Sequence, residues 1–152
     1  MKRASYKTFA LIMAISFVTM YAAMFLNVDK LDHIRLSMTR TYMSLLMVAP
    51  MAISMMLFMG SMYANKKANM AIIAGAALVF VGSLFGLRNQ VFVEDVQYMK
   101  AMISHHSSAI MVSQKATIND PETQALAKQI IESQEREIAQ MTAIIQRLEH
   151  GQ

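Results

Sequence analysis

No cysteine occurs in the 152 residues, which excludes disulfides, thiolate zinc sites, iron–sulfur clusters and cysteine nucleophiles. Charge is also scarce, at 16% Asp, Glu, Lys and Arg, and it is divided unevenly. Residues 1–87 carry eight Lys or Arg and two Asp, a net of +6, whereas residues 88–152 carry six Lys or Arg and eight Asp or Glu, a net of −2. The basic excess therefore belongs to the first part of the chain. The later, polar part lacks the basic stripe that a phosphate backbone would need, so nucleic acid is not expected as a partner. What is plentiful is apolar: 55% of the residues are hydrophobic, and 17 of them are methionine, a count that calls for a packing or a chemical reason.

The apolar residues gather in three runs. The first, Thr8 to Val28, carries no charge and is long enough to cross about 30 Å of hydrocarbon. It exceeds the core of a signal peptide and lacks a clear cleavage site, so it reads as a retained anchor. The second, Tyr42 to Met62, contains Pro50, which removes one backbone hydrogen bond and predicts a kink. The third, Met70 to Leu87, includes Gly82 and Gly86, a small-xxx-small face that permits close helix approach. Lys2, Arg3, Lys7, Lys66 and Lys67 fall on one side of these spans, and Lys30, Arg35, Arg40 and Arg88 on the other. The leading cluster predicts a cytoplasmic N-terminus in a bacterial inner membrane, with the C-terminal segment in the periplasm.

Beyond Arg88 the pattern changes to amphipathic helix. Met99, Met102, Ile103, Ala109 and Ile110 recur at the spacing of one face between Asp95 and about Lys115, and His106 lies on that face. Asn119-Asp120-Pro121-Glu122 then supplies a stop and a restart, with Asp120 as N-cap and Pro121 at the first helical position. A second helix follows to about Glu149, its stripe running through Leu126, Ala127, Ile130, Ile131, Gln134, Ile138, Met141, Ile144, Ile145 and Leu148. The reading is an all-α membrane protein, with a three-helix transmembrane region over 1–88 and a periplasmic His/Met helical hairpin over 92–152. Two helices cannot close a core by themselves, so a homodimer or higher oligomer is expected, two hairpins forming a four-helix bundle.

Met99, Met102 and His106 share one side of the first hairpin helix, and His105 lies one step round it, about 100° away. Gln134, Glu137 and Met141 fall on or beside the inward stripe of the second helix. Thioethers are soft, neutral ligands that favour Cu(I), and imidazole accepts either copper oxidation state, so the ordered expectation is Cu(I), then Ag(I), then Cu(II). Such ligands need no deprotonation and suit an oxidising compartment. The competing reading makes the methionines core filler and the histidines tolerated polar residues.

YMKAMISHHSSAIM from Tyr98 to Met111, followed by NDPETQALAKQIIESQEREIAQM from Asn119 to Met141, resembles the family catalogued as domain of unknown function 305, a ferritin-like helical family with several copper-associated members. The resemblance covers roughly residues 92–148 and none of the spans. It implies metal-site candidates at Met102, His105, His106 and Met141, with Gln134 and Glu137 as polar partners. The family typically has Met two residues after the position of Ile110, where this chain has Val112. Met111, one step earlier, is a weaker candidate for a second site or a subunit contact. Longer members contain two such hairpins, in keeping with the expected dimer.

Met43, Met47, Met51, Met55 and Met59 form a row in span two. One reading is a relay of thioethers for Cu(I); but the row winds across the helix surface and no charged or polar residue interrupts the spans to mark an ion path, so ordinary packing in lipid is the favoured expectation. His33, in the loop after span one, is a further candidate ligand on the hairpin's side of the membrane. The expected function is a membrane-anchored, non-enzymatic copper-binding protein that sequesters Cu(I) or exchanges it with a donor or acceptor protein. The alternative is a helical assembly or scaffold module docking a partner membrane protein; a cuprous oxidase lacks any sign of an open coordination position or substrate pocket.

Overall fold

The computed structural model describes residues 5–151 and consists of five α-helices, with no strand among the described residues. Lys2 and Arg3, counted above in the leading charge cluster, lie outside them. The helices are α1 (Tyr6–Ala23), α2 (Met38–Met59, continuing into a 3₁₀ turn at Gly60–Met62), α3 (Lys66–Arg88), α4 (Asp95–Lys115) and α5 (Pro121–His150). The first three are long and apolar enough to cross a membrane. The chain divides into two compact units, residues 1–23 with 40–92, and residues 24–39 with 93–152.

In the first unit, Phe9, Ala52, Met56 and Tyr63 form a small core, with Met13, Ile72, Ile73 and Ala76 packed against it. Polar groups tie its loop end. The Tyr6 hydroxyl donates to Asn69 Oδ1 at 2.7 Å, and Asn65 caps α3 by accepting from the N–H groups of Lys67 and Ala68. α2 runs on through Pro50, which offers no N–H to the Leu46 carbonyl. Most of the row of methionines on α2 points outward: Met43, Met47, Met51 and Met59 are exposed, whereas the neighbouring Met56 is buried.

The glycine pair of α3 divides its roles. Gly82 faces open space, but a Cβ on Gly86 would lie 2.8 Å from the Tyr42 ring. Gly86 thus serves contact within the chain, with α2, and is not free for the close approach of another helix. The Tyr42 hydroxyl in turn donates to the Val91 carbonyl at 2.8 Å. Gly86→Val is therefore expected to displace Tyr42, lose that bond and lower the thermal midpoint in detergent; Gly82→Val, with no neighbour to strike, leaves it nearly unchanged.

The second unit contains the hairpin. Met99, Ile103, Ile110, Ile138 and Ile145 are buried against one another, flanked by Val96, Ile131, Met141, Ile144 and Leu148. Spacings of four and seven along α4, and of seven along α5, put these side chains on one stripe of each helix. Asp120 caps α5, accepting from the Thr123 N–H at 2.7 Å, and Pro121 takes the first turn, as the sequence predicts. The Thr123 hydroxyl, and then its backbone N–H, hold the Asp120 carboxyl below its ordinary 3.8. A carboxyl so lowered stabilises the fold fully above its unfolded value, and that contribution disappears as pH falls through the folded one. Asp120→Asn, which keeps an acceptor but cannot titrate, is expected to flatten the acid limb of helix content followed by circular dichroism.

The hairpin is not two helices alone. The first span was expected to run to Val28, yet α1 ends at Ala23, and residues 24–39 leave it to pack on α4. Ser104, Ser107 and Ser108 receive this segment. The Asp29 N–H donates to Ser107 Oγ at 2.8 Å, the Arg35 N–H to Ser104 Oγ at 3.3 Å, and Asn27 Nδ2 to Ser108 Oγ at 2.6 Å. Ser104 Oγ donates to the His33 carbonyl at 2.8 Å, and the Met38 N–H to Gln97 Oε1 at 3.0 Å. Ser104 and Ser107 are fully buried beneath it. Part of the cover that two bare helices lack thus comes from the chain's own first loop.

Candidate metal centre

On the other side of the hairpin a groove of about 540 Å³ runs between α4 and α5, lined by Met99, Met102 and His106 from α4 and by Glu137 and Met141 from α5, among others. The i,i+3 and i,i+7 spacings align the three α4 side chains, and Glu137 and Met141, four apart, face them. Asp95, Tyr98, Gln140 and Arg147 also line it and were not singled out from the sequence. Asp95, four before Met99, and Tyr98, four before Met102, share the α4 face by helical spacing alone, whereas Gln140 and Arg147 reach the groove through the pairing of the two helices.

His106 is buried, at 6% exposure, and its Nε2 lies 2.6 Å from Glu137 Oε2. Ser133 donates to the other Glu137 oxygen at 2.8 Å. These two hydrogen bonds, the Ser133 one foremost, hold the Glu137 carboxyl below the usual glutamate value. An ionised carboxylate only accepts, so Nε2 is the protonated nitrogen of the imidazole. Nδ1 is buried without a hydrogen-bond partner. A histidine whose one N–H is fixed on a carboxylate while the other nitrogen is unsatisfied matches the second-shell pattern of metal-ligating imidazole, in which the carboxylate sets the tautomer and raises ligand basicity. Leaving such a nitrogen unpaired otherwise costs about 1–3 kcal/mol.

Among the described residues no three His, Asp or Glu side chains gather as a metal-binding group. The set at the groove is of another kind, one imidazole and three thioethers with a carboxylate behind the imidazole, a soft-ion donor set.

The remaining sequence candidates lie elsewhere. His105 is exposed and does not line the groove, its ring centroid 6.1 Å from that of His106. Met111 is half-buried and also outside it. Gln134 is half-buried on α5, its Oε1 buried without a partner, and is not among the lining residues. His33 belongs to the first loop, with Nδ1 2.8 Å from Ser107 Oγ, and lines a separate cavity of about 590 Å³ with Lys30, Glu135 and Ile138. Burial, and then Lys30, push its imidazole below the ordinary histidine value. The two cavities share no lining residue.

Comparison with known proteins bears on the same helices. A family model, Domain of unknown function (DUF305), matches residues 51–145. That match begins in α2 and includes all of α3, which corrects the narrower extent of 92–148 expected from the motifs. The chain is also 37% identical over 134 residues to "Uncharacterized protein L153" of Acanthamoeba polyphaga mimivirus, covering 86% of each chain. No solved structure matches. With the family match covering most of the chain and the relative nearly all of it, the protein belongs to the DUF305 family.

Proposed function

We propose that this protein is a membrane-anchored copper-binding protein that sequesters Cu(I) or hands it on, with no catalytic step of its own. The observation that carries the reading is His106, its Nε2 donated to Glu137 and its Nδ1 unpaired, beside the thioethers of Met99, Met102 and Met141. His106 and the three methionines would hold the ion, and Glu137, braced by Ser133, would orient the imidazole. Cu(I) fits this donor set best, with Ag(I) and Cu(II) behind it.

The three apolar helices would anchor it in a bacterial inner membrane, N-terminus in the cytoplasm and hairpin in the periplasm. The packing of the first loop on α4 supports three crossings, since an odd number of spans puts that loop and the C-terminal hairpin on one side. A homodimer would cover the open groove and could complete the coordination. A copper donor or acceptor protein is the corresponding partner.

The test is metal analysis of protein purified in mild detergent from copper-grown cells, beside a Met102→Leu/His106→Ala/Met141→Leu variant. Stoichiometric copper in the first and its loss from the second would support the reading; equal copper in both would sink it. The groove's exposed Tyr98 and its apolar Ile144 and Leu148 favour the alternative of an assembly module docking a membrane partner. Partner capture that ignores copper and survives the triple substitution would select that alternative.

A further inference from the structure

The loop between α1 and α2 carries large apolar side chains that none of the described residues covers. Leu26 is 87% exposed, Leu31 82% and Leu36 68%. The segment is nonetheless fixed. Its polar atoms, the Asp29 and Arg35 N–H groups, the His33 carbonyl and the Asn27 amide, are engaged by Ser104, Ser107 and Ser108. The loop thus meets α4 through these polar atoms, while the three leucines are left exposed. Soluble surfaces scatter single leucines, but three within eleven residues on an ordered loop form a feature that needs a partner.

The loop's position identifies that partner. It joins the end of α1, at Ala23, to the start of α2, at Met38. Tyr21 stands in the last turn of α1 and Tyr42 in the second turn of α2, the level at which amphipathic rings mark a membrane interface. Leu26 follows Tyr21 by five residues and Leu36 precedes Tyr42 by six. Exposed Lys30 supplies a flexible cation at headgroup level.

We propose that this loop is an interfacial element whose Leu26, Leu31 and Leu36 enter the headgroup and upper acyl layer of the bilayer, while its polar atoms grip α4. The loop then seats the His106-bearing helix on the membrane surface. The inference rests on α1–α3 being membrane spans, and its occupant is lipid rather than a second copy of the chain.

The absence of tryptophan makes the test direct. Single variants Leu31→Trp and Leu36→Trp of the full chain are reconstituted in phosphatidylcholine vesicles, with Ile15→Trp in the exposed face of α1 and Leu126→Trp on α5 as references. Fluorescence is read with lipids brominated near the headgroup or near the acyl terminus. The expected result is that Ile15→Trp loses most of its emission to the deep bromines, and Leu31→Trp and Leu36→Trp lose most of theirs to the shallow ones. Leu126→Trp should respond to neither. Quenching of Ile15→Trp without quenching of either loop variant overturns the proposal and spares the spans; a blue-shifted but unquenched loop variant would then indicate cover by a second copy of the chain. No quenching of Ile15→Trp or the loop variants would overturn the spanning reading and this inference together.

Discussion

His106→Ala is expected to weaken Cu(I) binding by at least about 100-fold, measured by competition with a chromophoric Cu(I) chelator, while His105→Ala and His33→Ala change it little. His106 is the histidine that lines the groove beside Met99, Met102 and Met141, whereas His105 is exposed and His33 faces another cavity. Removing the imidazole takes away the only nitrogen donor among the proposed ligands and leaves thioethers that bind weakly by themselves. Glu137→Gln is a milder version. It keeps an acceptor for Nε2 but removes the charge that raises imidazole basicity, and a loss of about 10–100-fold is expected. Helix content should survive each change, because the hairpin core of Ile103, Ile110, Ile138 and Ile145 is untouched. If His105→Ala abolished binding and His106→Ala did not, the groove would be the wrong site.

Ser104→Ala combined with Ser107→Ala is expected to release the first loop from α4 and to cost about 2–5 kcal/mol, from several groups that each lose about 1–3 kcal/mol when left without a partner. Both serines are fully buried. Their hydroxyls serve the Asp29 and Arg35 N–H groups and the His33 carbonyl, and Ser107 Oγ also meets His33 Nδ1. Alanine is the better helix former, so α4 itself is not weakened. The effect should therefore be local: the amides of Asp29 and Arg35 lose hydrogen-exchange protection, while those near Ile103 and Ile138 keep theirs. Unchanged protection at Asp29 would mean that the loop is held by something other than these serines.

Much of this architecture is legible in the chain because local chemistry dictates it. Asp120-Pro121 is a helix start wherever it occurs, since the carboxylate caps and the ring fits the first turn. α4 and α5 accordingly begin and end within a residue of where the periodicity puts them. The loop's allegiance was hidden by a rule that reads runs of hydrophobicity. Met24, Phe25 and Leu26 extend the first apolar run, but Phe25 is buried and the run leaves the helix after Ala23. Ser104, Ser107 and Ser108, three and four apart, share a face, yet serine on a helix has many uses and no spacing identifies what it bonds.

The site divides in the same way. Helical spacing alone puts Met99, Met102 and His106 on one side of α4, because 3.6 residues per turn leaves no alternative. The same spacing puts His106 rather than His105 on the apolar face; which α5 side chains that face meets is decided by the packing of Ile103 and Ile110 against Ile138 and Ile145. That packing brings Glu137 and its Ser133 brace to His106 and buries Nδ1 unpaired. Local patterns along the chain suffice for five helices, three of them long and apolar enough for a membrane, and for a His/Met face. Packing of the helices settled that Glu137 rather than Gln134 meets His106, and that the first loop belongs with the hairpin. Both depend on contacts between residues some 30 to 80 positions apart, which no local pattern encodes.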